Sequence, residues 1–119
     1  MTTSRNDPSS VVRAYHEAWT KGDVDLALSY VSEGVRCFAP DERVSSKQDW
    51  HHYLSGFAPR LTGAPAHAEM SRGNLVALWY YPQTEVTTTT LASELFTVED
   101  GLIVEVRLAF DRLSYAPPA

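Results

Sequence analysis

Cysteine is almost missing from this chain. The single Cys37 excludes an intrachain disulfide and, with no second thiolate, a cysteine-based metal cluster. Long apolar runs are missing too: nothing approaches the roughly 20 residues a helix needs to span a bilayer. The opening MTTSRNDPSS is polar where a secretory leader needs an apolar core, so the expected location is cytoplasmic. Basic charge is in short supply, with 10 Lys and Arg against 15 Asp and Glu and a formal charge of −5. No basic cluster offsets that balance, so a nucleic-acid partner is not expected, and neither is a membrane.

Familiar reactive motifs are lacking as well. There is no glycine-rich phosphate loop, dinucleotide fingerprint or Ser-His-Asp order. His16-Glu17 starts like a zinc-protease helix, but Thr20 stands where the second histidine belongs. His51 and His52 are neighbours on a helical stretch, about 100° apart, and cannot readily share a metal. His67 falls on the polar side of its strand. These absences leave cofactor-free chemistry or plain binding, with no metal site.

What is present is an ordinary globular composition: 119 residues, 44% hydrophobic and 21% charged. That suits one domain over residues 1–119 with one core, and residues 1–6 and 114–119 read as flexible tails. Asp7-Pro8 has the form of a helix cap followed by a first-turn proline, and Val11, Tyr15 and Ala18 recur at helical spacing beside Val12 and Trp19. Lys21-Gly22 ends that helix and Asp23 caps a second, striped by Val24, Ala27, Leu28 and Val31. Val35 to Ala39 reads as a short strand, and Pro40 to Ser45 as a loop. Ser46 to Asp49 has capping-box form before a third helix carrying Trp50, Tyr53, Leu54 and Phe57 on one face. Pro59, Gly63 and Pro65 mark a loop. Strands follow at Ala66 to Ser71, Leu75 to Tyr81, Val86 to Thr97 and beyond Gly101. Helices early and strands late imply an α+β domain, one curved antiparallel sheet wrapped by three helices.

The most informative stretch is LASELFTVEDGLIVEVRLAFDR, Leu91 to Arg112. It is two period-2 runs around a turn, a hairpin pattern. Ala92, Phe96 and Val98 share a face with Glu94, while Val104, Val106, Leu108 and Phe110 form an apolar face on the second run. One carboxylate therefore sits in an apolar row. A three-residue loop, Glu99-Asp100-Gly101, sets Glu94 opposite Val106 and makes the apolar faces coincide. A two-residue Asp100-Gly101 loop instead sets Glu94 opposite Arg107 and mixes the faces. Register logic favours the first. Burial against Phe96, Val104 and Val106 would raise the Glu94 pKa toward the range useful for proton transfer.

Several segments, in this order, resemble the nuclear transport factor 2-like superfamily, specifically its SnoaL-like and ketosteroid-isomerase-like branch. VVRAYHEAWTKGDVDLALSYV resembles the opening helix pair, VSSKQDWHHYLSGF the capped third helix, and LFTVEDGLIVEVRLAFD the final hairpin. The resemblance implies a cone-shaped fold around an apolar cavity, commonly a homodimer through the outer sheet face. It also implies an acid at Glu94, which an apolar site can keep protonated as a hydrogen-bond donor, and a hydroxyl donor at Tyr15. The isomerases' general base falls at Ala39, and the cyclases' acid and histidine fall at Leu108 and Glu94, so neither known catalytic set is complete.

The candidate catalytic residues are thus Glu94, Tyr15 and, as a displaced base in the loop after Ala39, Asp41. Trp19, Cys37, Ala39, Trp50, Tyr53, Phe57, Leu78, Tyr80, Phe96, Val106 and Leu108 are candidates to line a substrate cavity. The favoured function is a cofactor-independent isomerase, cyclase or dehydratase on an apolar, carbonyl-bearing molecule of polyketide or steroid type. The alternative is a non-catalytic module that binds a small ligand or dimerises. Leu75, Trp79, Leu91 and Leu95, expected on the sheet's outer face, point to a homodimer.

Overall fold

Each helix starts where a short polar side chain can accept from its first turn, leaving fewer orphaned backbone donors. In the computed structural model, which describes residues 7–115, the Asp7 carboxylate accepts from Ser10 N at 3.3 Å and opens α1, Pro8–Thr20. Asp23 accepts from Leu26 N at 3.1 Å and opens α2, Val24–Leu28. Ser46 Oγ accepts from Asp49 N at 3.1 Å and opens α3, Lys47–Phe57. The expected tail at residues 1–6 lies outside the described residues, as do residues 116–119.

Six strands follow these helices or lie between them: β1 Val31–Ala39, β2 Glu42–Val44, β3 Ala66–Arg72, β4 Leu75–Tyr80, β5 Ala92–Glu99 and β6 Leu102–Ala109. They form one sheet in the order β2-β1-β6-β5-β4-β3. Every neighbouring pair is antiparallel except β1 and β6, which run parallel. The domain is α+β, a curved sheet covered by three helices, as the sequence implies, but the sheet is not wholly antiparallel as expected because β1 and β6 run parallel. The inner face buries Val35, Cys37, Val76, Leu78, Phe96 and Val106 against Val11, Val12, Tyr15, Trp50 and Leu54 of the helices. Each such side chain contributes roughly 1.5–3 kcal/mol by leaving water.

Four local expectations are corrected. The second helix stops at Leu28, and Val31 belongs to β1 instead. Tyr30 O accepts from Ile103 N at 2.8 Å, and this pairing with β6 draws the chain into the sheet before another helical turn can form. Residues 40–45 are not merely a loop, because β2 pairs back on β1 with Cys37 opposite Val44 and Ala39 opposite Glu42. Residues 86–91 are not strand. Thr84 Oγ1 accepts from Val86 N and Thr87 N at 3.1 and 3.4 Å, and Thr87 and Thr90 bond through their hydroxyls at 3.1 Å. Local side-chain bonds compete there with sheet pairing. Finally, Ser114 and Tyr115 are not a loose tail: Arg112–Tyr115 forms a 3-10 turn, and Tyr115 is buried.

The last hairpin departs from both registers considered. Its loop is the two-residue Asp100-Gly101, with φ of 52° and 79° and Glu99 opposite Leu102. Both positive angles suit a tight hairpin turn whose twist matches its strands. A bulge then intervenes, since Thr97 pairs with Glu105 but Val98 pairs with Ile103, which leaves Val104 as the extra residue. Beyond it Phe96 faces Val106 and Glu94 faces Leu108. The bulge cancels the mixing of faces that the short loop would cause. Ile103 goes inward, fully buried, where the sequence pattern had placed Val104.

Candidate functional site

Across the inner face of the sheet, one transverse row reads Leu78, Glu94, Leu108. Glu94 is thus flanked on both sides by leucines and is 2% exposed. Its carboxyl finds one described donor, the Tyr80 hydroxyl, at 2.7 Å. Tyr80 stands two residues along β4 from Leu78, diagonally opposite Glu94, within reach of two long side chains. Burial raises the Glu94 pKa to about 7, and the Tyr80 bond opposes part of that rise. At neutral pH the carboxyl is balanced between its two forms.

Glu94 forms part of the wall of an internal cavity. Trp50, Tyr53, Leu54 and Phe57 of α3 line one side, and Trp19 of α1 another. Tyr80, Ala92 and Leu108 of the sheet, with Pro82 and Phe110 just beyond the ends of β4 and β6, complete it. The cavity is small, about 20 Å³, which is room for roughly one water molecule. The aromatic rings nearly fill the cone. Trp50 and Tyr53 stack with centroids 4.9 Å apart, and Trp19 meets Tyr80 edge-on at 6.4 Å.

Trp19 is 3% exposed, and its indole N–H has no hydrogen-bond partner among the described residues. A buried donor left unpaired costs about 1–3 kcal/mol. It is the one such donor on a residue of this wall among the described residues, and an acceptor supplied by a ligand would satisfy it. His16, one turn earlier on α1, packs edge-on against the Tyr80 ring with centroids 4.5 Å apart. Its Nδ1 is also buried without a partner, its Nε2 lies 3.4 Å from Ala64 O, and burial lowers its pKa. His16 is therefore neutral near pH 7 and braces Tyr80 from behind.

Of the residues singled out from sequence, the fold gathers Glu94, Trp19, Trp50, Tyr53, Phe57, Tyr80 and Leu108 around this cavity. It separates the others. Tyr15 is fully buried behind the wall: its hydroxyl accepts from Trp50 Nε1 at 2.7 Å and its ring meets Phe96 edge-on at 5.7 Å. Burial and the nearby Glu94 carboxyl hold its pKa well above the usual phenol value. Phe96, Val106 and Cys37 occupy the next transverse row and pack away from the cavity. Burial, then Glu94, raises the Cys37 thiol, so it stays protonated and inert. Leu78 faces the gap between α1 and β3. Ala39 ends β1 against Glu42.

Asp41 sits at the β1–β2 turn, where it accepts from the Tyr53 hydroxyl at 3.2 Å. It lines an outer hollow, not the cavity that holds Glu94. The sequence reading expected a displaced base at the cavity mouth; Asp41 lies in the outer hollow, and Tyr53, which lines both spaces, stands between it and Glu94. Leu54, Pro82, Ala92 and Phe110 join the cavity wall although the sequence reading did not name them as site residues. Leu54, Ala92 and Phe110 did lie on the apolar faces it identified. Pro82 follows the end of β4, and its position depends on how that strand exits the sheet. Among the described residues no three His, Cys, Asp or Glu side chains converge as metal ligands. No described helix is long and apolar enough to cross a membrane.

The SnoaL-like domain model matches residues 12–106. A protein from Kribbella flavida DSM 17836 is 30% identical with a TM-score of 0.84, over 88% of this chain and 87% of that one. An NTF2-like protein of unknown function from Cytophaga hutchinsonii ATCC 33406 is 19% identical, TM-score 0.78, over 87% and 89%. A candidate SnoaL-like polyketide cyclase from Jannaschia sp. CCS1 is 18% identical, TM-score 0.74, over 97% and 94%. The last two likenesses concern the fold alone. No curated protein matches the sequence.

Proposed function

This chain belongs to the SnoaL-like domain family, and from that premise we propose that it moves a proton on a small, apolar, carbonyl-bearing molecule, with Glu94 as the acid–base group. The observation that carries this reading is the Glu94 carboxyl, 2% exposed between two leucines with a pKa of about 7. Such a value matches what proton abstraction and return near neutral pH require of one group. In its ionised form Glu94 removes a proton from the carbon next to the carbonyl, and the C–H pair becomes the enolate π bond. The same carboxyl, now protonated, returns the proton to that carbon or to a conjugated one, which gives exchange or isomerisation. Tyr80 keeps the carboxyl oriented throughout.

Charge that develops on the carbonyl oxygen needs a donor. We assign that part to the unpartnered Trp19 indole N–H on the cavity wall. Tyr15, which the family resemblance suggested, is packed behind the wall against Trp50 and Phe96. A cavity of about 20 Å³ is too tight for a fused-ring molecule at rest. Substrate entry requires the rings of Phe57 and Phe110 to swing aside.

The test does not need the natural substrate. Small cyclic enones in deuterated buffer, followed by proton NMR, report exchange next to the carbonyl. The protein should accelerate exchange, and Glu94→Gln should remove the acceleration while the fold is retained. Exchange unchanged in Glu94→Gln would defeat the assignment of Glu94.

One observation favours a second reading, a binding module. Asp41, the nearest other candidate base, lies outside the inner cavity, and the resemblance to the isomerases sets their general base at Ala39, which carries no acid. On that reading enones bind, as seen by saturation-transfer NMR, but exchange at the buffer rate. Under either reading we propose a homodimer through the outer sheet face. Leu95 is 40% and Met70 64% exposed there, in one transverse row with Ala77.

A further inference from the structure

Outside the cavity that holds Glu94 lies a second, open hollow of about 450 Å³. Tyr53, Phe57 and Phe110 line both spaces, so these three aromatic rings form a shared wall between them. The chemistry changes across that partition. The inner side is apolar with one carboxyl. The outer side carries the guanidinium groups of Arg60 and Arg112 and the carboxylate of Asp41. Asp41 is already engaged with the Tyr53 hydroxyl. On a chain of net charge −5, this mouth has an excess of one positive charge.

Arg60 is held in place rather than left to wander. Its Nη2 donates to Tyr115 O at 3.1 Å and its guanidinium lies 5.4 Å from the centre of the Phe57 ring. Tyr115 is in turn tied down, its hydroxyl donating to Pro82 O at 2.8 Å, and Pro82 lines the inner cavity. A chain of contacts thus connects the cation at the mouth to the inner wall. Arg112 opens the same 3-10 turn, and the neighbouring Asp111 carboxylate is occupied within the turn by Leu113 N at 3.1 Å and Ser114 Oγ at 2.8 Å.

We propose that the ligand of this site is an amphiphilic carboxylic acid, its apolar body admitted to the inner cavity as the rings of Phe57 and Phe110 swing aside and its carboxylate held at the mouth between Arg60 and Arg112. The inference rests on the cavity's being a small-molecule site and adds the class of molecule. A planar guanidinium suits a carboxylate because it can present two parallel N–H donors. Asp41 beside them rejects a second negative charge, so a single carboxylate fits better than a phosphate dianion.

The test is a matched pair in calorimetry at low ionic strength: 2-naphthylacetate against the neutral 2-naphthylacetamide, with acetate as the head group alone. The acid should bind tighter than the amide by roughly fivefold or more, the size of one modest ion pair, and acetate should not bind measurably. Arg112→Gln should remove most of the acid's advantage. Arg112 makes no described side-chain bond within the fold, so this variant should fold normally. Arg60→Gln, which also gives up the Tyr115 contact, is the second variant and should act in the same direction.

Equal affinity for acid and amide would overturn the head-group assignment and leave the cavity reading standing. Acetate binding as tightly as the naphthyl acid would overturn it by showing an anion site only. Failure of all three to bind would defeat both the inference and the cavity reading beneath it.

Discussion

Moving an acid from its ordinary 4.5 to about 7 costs the fold about 3 kcal/mol once the group is ionised. The sign follows from which state holds the proton more tightly. Between pH 4.5 and about 7 the folded chain keeps Glu94 protonated while the unfolded chain has released it, so stability falls as pH rises through that window. Glu94→Gln should therefore raise the urea-unfolding free energy at pH 8 by up to about 3 kcal/mol and change it much less at pH 4. Equal effects at the two pH values would contradict the buried, uncharged site. Trp19→Phe keeps an aromatic ring on the wall but removes the N–H. It should slow carbonyl-linked exchange by about 10²-fold while shifting the thermal midpoint only slightly, and an unchanged exchange rate would remove Trp19 from the mechanism. Glu94's burial was legible in the sequence, because a period-2 pattern assigns faces without knowing neighbours. Its partner was not. Tyr80 is a diagonal neighbour, and diagonals depend on a register that composition does not encode.

At the scale of elements, the final hairpin decides where Glu94 points. Asp100 and Gly101 both adopt positive φ, which a β-branched side chain tolerates poorly. Gly101→Val should destabilise the domain by about 1–2 kcal/mol, measured by urea unfolding, whereas Asp100→Gly should be nearly neutral. A harmless Gly101→Val would contradict this turn. The Asp-Gly signal was plain in the sequence, but the bulge at Val104 was not, and without it the apolar faces align only by lengthening the loop. Its cause is remote: Ile103 donates to Tyr30 O and pairs with Val31, so β1, some seventy residues earlier, pulls one residue out of step. The same parallel contact explains why helix α2 ends early. Helix starts, by contrast, were readable at Asp7, Asp23 and Ser46, because a cap needs only its own first turn.

For the whole molecule, a curved sheet presents two faces with different tasks. The outer one carries Met70, Ala77 and Leu95 in one row and Trp79 in the next, an apolar area consistent with a partner sheet. Leu95→Glu should yield a monomer by light scattering where the native chain gives a dimer, and a native monomer at high concentration would refute the proposed dimer. The inner face holds one carboxyl, one orphaned indole N–H and a set of rings that leave about 20 Å³ free. The order of elements made the curved sheet and its three helices legible, whereas cavity size and the inner and outer spaces follow from side-chain packing that no periodic pattern records. Everything proposed about chemistry depends on Glu94 being buried and poised between its protonated and ionised forms near neutral pH. The most direct check is a carbon NMR titration of the Glu94 carboxyl, assigned by comparison with Glu94→Gln. A midpoint near 7 is expected, and a midpoint at or below 4.5 would contradict the site.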